Sequence, residues 1–309
     1  MVPTEHTGQG YLSRSFGESY RAFGDIMHLP RTGLQLLKRP IRGPFYDLIG
    51  VYPYSMSADW SGLNHDIDDL RQGGAVSMVF VADPFQSETV HNLTKDWALS
   101  RHFKTHYVVD LRQDWRGNRR KQERRITRRA LEALRLDVLS DPVPLAPALW
   151  ELYQTTIDRK QVTGMQRLSL DTIERQLAIP GAVVITAQDE SGLAGASLSF
   201  DHGQTSVCHI MFLSQESRRN HTSHALVYAN LAEFENRGCS FANLGGPAGN
   251  DDDPSDGLAR FKYRWTRETC SAVICGSILD PVAYRDLEAE AGTGSTGFFP
   301  SYRAFGGFS

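Results

Sequence analysis

Lys262 is the residue with the most chemistry to offer. It lies in "SDGLARFKYRWTRE", Ser255 to Glu268, among Arg260, Arg264, Arg267, Phe261, Tyr263 and Trp265. Read as a strand, the segment puts Arg260, Lys262 and Arg264 on one face and the aromatics on the other. Read as a helix, it has an N-cap in Ser255 or Asp256 after Pro254, and Leu258, Phe261 and Trp265 form an apolar stripe. The acidic entry suits the positive end of a helix, and the spacing predicts a helix. At about 100° per residue, Arg260, Arg264 and Arg267 then cluster opposite the stripe, while Lys262 falls one turn from Leu258 at its edge. An ammonium there either snorkels along apolar wall, which geometry alone favours, or is aimed into a cleft. In a water-poor cleft it would stabilise an oxyanion or a leaving oxygen.

A second cluster is a run of arginines. From Arg112 to Arg135 there are nine arginines and one lysine against Asp114, Glu123 and Glu132. An ordinary solvated helix face mixes signs to gain i,i+4 pairs, and this one repels itself. A polyphosphate lying against it, RNA above all, accounts for that pattern. The expected RNA-contacting residues are Arg116, Arg119, Arg120, Lys121, Arg124, Arg125, Arg128 and Arg129, extended by Arg218, Arg219, Arg260 and Arg264. A third cluster, Asp251, Asp252 and Asp253, either binds a cationic acceptor or serves as a soluble loop before the helix; the loop reading is favoured. Tyr46, Tyr52, Tyr54 and Trp60 are candidates to line an acceptor pocket, against the alternative that they are core.

The rest of the composition excludes several classes. The chain has 309 residues, 40% hydrophobic and 22% charged, with a net charge of −3, as expected for a soluble globular protein of two domains. Any polyanion must therefore meet a local patch. No apolar run is long enough to span a bilayer, and the start "MVPTEHTGQGYLSRS" does not read as a signal peptide, so a cytoplasmic address is expected. Cys208, Cys239, Cys270 and Cys275 show no zinc spacing and read as small core residues in a reducing compartment. There is no P-loop, G-x-G-x-x-G or G-x-S-x-G, and neither a metal nor a bound cofactor is expected.

These clusters need elements to hold them. The stretch to about Lys38 reads as a polar lead-in with a helical piece. "PFYDLIGVYPYSM" predicts a strand broken at Pro53, "GLNHDIDDLRQGG" a helix, "AVSMVFVADPF" a buried strand and "HYVVDL" a short one. Helices follow over Asn118–Leu136 and over "LAPALWELYQTTIDRK", separated by the proline-rich "SDPVPLAP". A hairpin turns around Asp189–Gly192 and "TSVCHIMFLS" pairs with it, His209 being a packing residue. "SHALVYANLAEFENRG" is a helix closed by Gly238, "SFANLGG" a strand, and "CSAVICGSIL" a last strand. The aromatic, glycine-rich tail from Gly292 is expected to dock, and "SYRAFG" occurs at both Ser19–Gly24 and Ser301–Gly306. The alternation is that of an α/β protein with mixed sheets and covering helices, divided near Asp141–Pro147 into residues 1–140, completed by the tail 282–309, and 141–281.

The segment "LVYANLAEFENRGCSFANLGGPAGNDDDPSDGLARFKYRWT" resembles the signature of the Fem-type aminoacyltransferases within the GNAT superfamily. A long helix ends in Gly238, a strand ends in Gly245-Gly246, and a variable loop precedes Gly257, Leu258, Phe261, Lys262 and Trp265. With "VVDLRQDWRGNRRKQERRITRRALEALRLDV" and "LYQTTIDRK", the likeness covers residues 105–280. It implies two tandem GNAT-like domains facing a shared channel, the second on the donor side, with Lys262 near the reacting ester. It further implies transfer of an aminoacyl group from aminoacyl-tRNA to an amine of a small-molecule or peptidic acceptor, as in cell-wall precursor or antibiotic biosynthesis. Backbone N–H groups after a split strand in "HIMFLS" are the oxyanion donors this resemblance suggests.

The commoner GNAT donor is acyl-CoA, whose pyrophosphate sits on a glycine-bearing loop at a helix N-terminus. The equivalent stretch is "RRNHTSHAL", with His221 and Ser223 in place of glycines, and their Cβ atoms crowd such a nest. The tRNA ester is preferred on that ground. An acyl-CoA N-acyltransferase and a non-catalytic RNA-binding protein are the alternatives.

Overall fold

A computed structural model describes residues 8–248, 255–293 and 297–306. The elements in chain order begin with α1 (Arg14–Glu18), β1 (Asp25–His28), β2 (Gln35–Pro40), β3 (Tyr46–Gly50), α2 (Leu63–Gln72), β4 (Ala75–Val81) and α3 (Ser87–Thr94). Next come β5 (Leu99–Asp110), α4 (Lys121–Ala133), β6 (Arg135–Val138), α5 (Ala146–Lys160), α6 (Leu170–Leu177), β7 (Ala182–Asp189) and β8 (Gly192–Asp201). The last are β9 (Thr205–Leu213), α7 (Thr222–Asn236), β10 (Phe241–Asn243), α8 (Gly257–Tyr263), β11 (Thr269–Ile278) and α9 (Pro281–Ala291).

Two compact units result. The first comprises residues 20–103, 271–293 and 297–306; the second comprises 8–19, 104–248 and 255–270. The division thus falls at 103/104 and 270/271, not at the proline-rich stretch near 141–147. The reason is β6, which lies just before those prolines and pairs antiparallel with β7, tying residues 104–140 to the strands beyond the prolines. The same pairing shortens the arginine helix: Leu134 is already extended, and α4 stops at Ala133 where Leu136 would have continued it.

In the first unit the strands run β1-β2-β3-β4-β11, antiparallel except for the parallel pair β3–β4, which α2 connects. Leu36, Leu48, Met78 and Phe80 are fully or nearly fully buried against Leu63, Ile67 and Leu70 of α2. The polar lead-in of the sequence proves to hold β1 and most of β2. Leu34 and Leu36 supply their buried face, and Asp66 fixes their turn by accepting from the Thr32 N–H and hydroxyl at 2.9 and 2.7 Å. The tail docks in this unit: Tyr302 is buried with Tyr284 and Leu287 of α9, and Arg303 meets Asp47 at 2.6 Å.

In the second unit the order is β6-β7-β8-β9-β10-β5, antiparallel except for the parallel pair β9–β10, which α7 connects. Val183, Ile185 and Ala187 pack with Ala225, Leu226, Leu231 and Phe234 of α7. On the opposite pleat Phe212 of β9 meets Tyr153 of α5 edge-on. Asn230 sits wholly buried on α7, satisfied by Ser199, Ser197 and the Leu226 carbonyl at 2.7 Å each. No helix of the described residues is long and apolar enough to cross a membrane.

Candidate functional site

The predicted helix forms as α8, and Asp256 is what starts it. Its Oδ1 accepts from the Leu258 and Ala259 N–H groups at 2.7 and 2.9 Å, and its Oδ2 from Ala248 N–H at 2.7 Å. One carboxylate thereby pins both the helix and the turn that follows β10. Asp256→Ala is expected to cost about 2 kcal/mol, read as a lowered denaturant midpoint at unchanged slope. The apolar stripe is only partly realised: Trp265 is buried just beyond the helix end, while Leu258 is exposed.

Lys262 points inward. Its residue is buried, and its Nζ donates to the Gly246 carbonyl at 2.5 Å. The Gly245-Gly246 corner admits it because neither residue has a side chain. Gly245 has φ +82°, and a Cβ there would stand 3.0 Å from the ammonium; a Cβ on Gly246 would meet Lys104 Cγ and Cδ at 2.7 Å. Lys104 is half-buried and donates to the next carbonyl, Pro247, at 3.0 Å. Asn243 braces the corner by accepting from Gly245 N–H at 2.8 Å and sits 3.2 Å from His106 Nδ1.

The two middle strands part at this point. β9 and β10 pair only over Thr205–Val207 and Phe241–Asn243. Leu244 and Gly245 then follow β5, exchanging bonds with Tyr107 at 2.8 and 3.1 Å. From Cys208 on, β9 keeps β8 alone as a paired neighbour among the described residues, and residues 208–211 are all partly buried. A bulge marks the start of this stretch: Ser199 opposes Cys208 and Leu198 opposes Ile210, leaving His209 as the extra residue. His209 is a packing residue, as expected, bonded to the Tyr11 hydroxyl at 2.7 Å and Gln176 Oε1 at 3.1 Å, and burial pushes its pKa down to about 3.

Burial is also the main cause that brings the Lys262 pKa down to about 7, with Lys104 pushing the same way and Cys208 and Asp256 opposing. Cys208 itself is driven up to about 11 by burial, so it is a neutral thiol at neutral pH. An amine that is half protonated near neutrality can both give and take a proton.

The arginines gather elsewhere in the unit. A cleft of about 1060 Å³ is lined by Arg119, Arg120, Arg260, Arg264 and Arg267, with Tyr107, Tyr263 and Trp265 among its other walls. Lys262 does not line it. The lysine and the arginines are separated because two residues along a helix turn a side chain by about 200°. α8 therefore sends Arg260 and Arg264 to the cleft and Lys262 to the parted strands.

Two of the expected RNA contacts are engaged by the protein itself instead, one buried and one partly exposed. Arg119 is buried, donates to Thr127 Oγ1 at 2.7 Å, and lies 3.6 Å over Trp265; burial lowers its pKa to about 10. Arg116 pairs with Glu235 at 2.6 Å and stacks on Trp115 at 4.1 Å. Arg120, Lys121, Arg124, Arg125, Arg128 and Arg129 are exposed along α4 and its entry, with Arg128 3.6 Å from Glu132. Arg219 is exposed and pairs with Glu216 at 2.8 Å; Arg218 closes the turn Gln215–Arg218, and its side chain is outside the described set.

Tyr46, Tyr54 and Trp60 belong to the buried interior of the first unit. Tyr46 donates to Gly73 O at 3.0 Å and Trp60 stacks on Phe80. Tyr46 also edges a hollow of about 240 Å³ lined by Met27, His28, Asp66 and Asp69. Tyr52 is half-buried before Pro53. Asp251, Asp252 and Asp253 lie outside the described residues. No group of three His, Cys, Asp or Glu residues among the described residues could hold a metal ion.

Sequence reasoning missed the pinning role of Asp256, the second lysine Lys104, and a buried pair near the cleft wall. In that pair His224 Nε2 lies 3.6 Å from Glu123 Oε2, and burial lowers the His224 pKa to about 4. Only Asp256 carried a local signal, as an N-cap candidate.

No family model matches the chain, and no curated protein matches it in sequence. Solved structures do. FemX superposes with a TM-score of 0.66 at 12% identity, over 88% of this chain and 92% of that one. The C-terminal domain of a putative lysylphosphatidylglycerol synthetase from Agrobacterium fabrum gives 0.61 at 14%, over 93% and 94%. L-PGS from Bacillus licheniformis gives 0.59 at 14%, over 88% and 94%. At these identities the likeness is one of fold, and the chain shares the mixed α/β fold of these proteins.

Proposed function

We propose that this protein is an acyltransferase whose reaction centre is the gap between β9 and β10, and that it moves an aminoacyl group from tRNA to an amine on a small-molecule or peptidic acceptor. The observation that carries this reading is the Lys262 ammonium, buried at that gap and held by the Gly246 carbonyl. In the reaction the acceptor nitrogen attacks the ester carbonyl, a C–N bond forms and the bond to the tRNA ribose oxygen breaks. The proton lost by the amine ends on that leaving oxygen. Lys262, near half protonation at neutral pH, donates to the leaving oxygen and is the charge partner of the tetrahedral intermediate. Backbone N–H groups along the unpaired edge of β9 supply the remaining oxyanion donors. Much of the acceleration comes from holding ester and amine together.

The exposed arginine face of α4 supports an RNA-borne donor, and the fold shared with a protein named as a putative lysylphosphatidylglycerol synthetase supports the transfer of an aminoacyl group. One observation favours acyl-CoA as a second reading: His221, at the N-cap of α7, adopts φ +52°, the left-handed bend a glycine would give. Its Cβ still narrows the nest. Transfer assayed by mass spectrometry with each charged tRNA and a panel of amines decides between them. Product that disappears on RNase pretreatment is the expected result. Product unaffected by RNase, with saturable CoA binding by calorimetry, would establish the CoA reading instead.

A further inference from the structure

We infer that Lys104 is a positioning residue of the Lys262 centre: fixed on the neighbouring carbonyl, its ammonium repels that of Lys262 and so adds to the burial that makes Lys262 give up its proton. The inference rests on Lys262 being the transfer residue, but its geometry stands apart from that reading. The two ammonium groups are anchored on consecutive carbonyls of one turn, Lys262 on Gly246 at 2.5 Å and Lys104 on Pro247 at 3.0 Å. Lys104 comes from β5, and its methylenes lie where a Gly246 side chain would be. The bare corner thus admits both lysines at once.

Among the described residues, Cys208 and Asp256 act against this repulsion. From β9 comes Cys208, whose thiol burial keeps protonated at neutral pH. From the N-cap of α8 comes Asp256, whose carboxylate already accepts three backbone N–H groups. From β5 comes His106, whose Nδ1 lies 3.2 Å from Asn243 Oδ1. Burial is the largest cause of the low Lys262 pKa, and among the described residues Lys104 is the charged neighbour that pushes it further down. Placing a cation beside a buried lysine is a known way to keep an amine reactive at neutral pH.

The test is a titration that does not depend on turnover. Protein labelled with [ε-13C]lysine is followed by NMR from pH 5 to 11, and the Lys262 resonance is assigned by its loss in Lys262→Arg. The wild type is expected to titrate near neutrality. Lys104→Met keeps the packing methylenes and should raise the Lys262 midpoint by about 0.5–1 pH unit, a roughly three- to tenfold smaller neutral-to-charged ratio at a given pH below the midpoint. Lys104→Arg keeps the charge and should leave the midpoint near its wild-type value. An unchanged midpoint in Lys104→Met, or a wild-type midpoint above pH 9.5, overturns the inference. Failure of aminoacyl transfer with a shifted midpoint would instead refute the reaction and leave the coupling of the two lysines intact.

Discussion

Lys262→Met is expected to lower the transfer rate by about two to four orders of magnitude and to leave the protein folded. The methionine fills most of the volume of the lysine stem, so Trp265 and Phe261 keep their packing. What is lost is the charge at the parted strands and the proton it exchanges. Because these act on the transition state, kcat should fall with KM nearly unchanged. Stability should move the other way. A buried lysine whose folded pKa is near 7 and whose unfolded pKa is near the ordinary 10.5 binds fewer protons folded than unfolded between those values. Its cost to stability is therefore full below pH 7 and is relieved as pH rises toward 10.5. The methionine variant should be at least as stable as the wild type at pH 6, with the difference vanishing by about pH 10.5. Equal turnover in the two proteins would sink the assignment, whatever the melting curves show.

Neutralising the exposed face of α4 should have the second-largest effect. With Arg124, Arg125, Arg128 and Arg129 all changed to glutamine, affinity for tRNA at low salt is expected to fall by about a hundredfold or more. The slope of log K against log[salt] should flatten by about 3–4. These side chains are exposed, and the fold holds them weakly, Arg124 by a 3.5 Å contact to the Gly117 carbonyl and Arg128 by a 3.6 Å pair with Glu132. Their removal should therefore leave the melting temperature almost unchanged. Anisotropy with labelled tRNA over a salt series reads both quantities. A flat response would show that the self-repulsion of this helix serves something other than RNA.

The sequence revealed most where local chemistry is strong. The hairpin at Asp189–Gly192, the Gly238 stop of α7 and the Asp256 cap of α8 are each set by one or two residues, and each is found as expected. β1 and β2 were hidden because β1 has only β2 to pair with, β2 needs β3 as well, and their turn is held by Asp66, 34 residues from Thr32. β6 was hidden because nothing in Arg135–Val138 distinguishes the end of a helix from an edge strand until β7 is beside it. At the site, the inward lysine was legible from periodicity and resemblance. Its company was not: Lys104 lies 158 positions earlier, and Arg119 looked like one more surface cation until Trp265 was found beneath it.

The first unit is stitched from two distant pieces of chain, and that has a consequence for synthesis. When β4 leaves the ribosome it has β3 on one side, while the strand that closes its other side, β11, is about 190 residues from being made. The run "AVSMVFV" is apolar and β-prone, and during that interval it is an open edge able to recruit another chain. The second unit, apart from its leading segment, is continuous from residue 104 to 270 and is complete while the first still waits. The half that starts earlier in the sequence is therefore the half that finishes last, and nascent chains stalled between residues 110 and 270 are the ones that most need a chaperone.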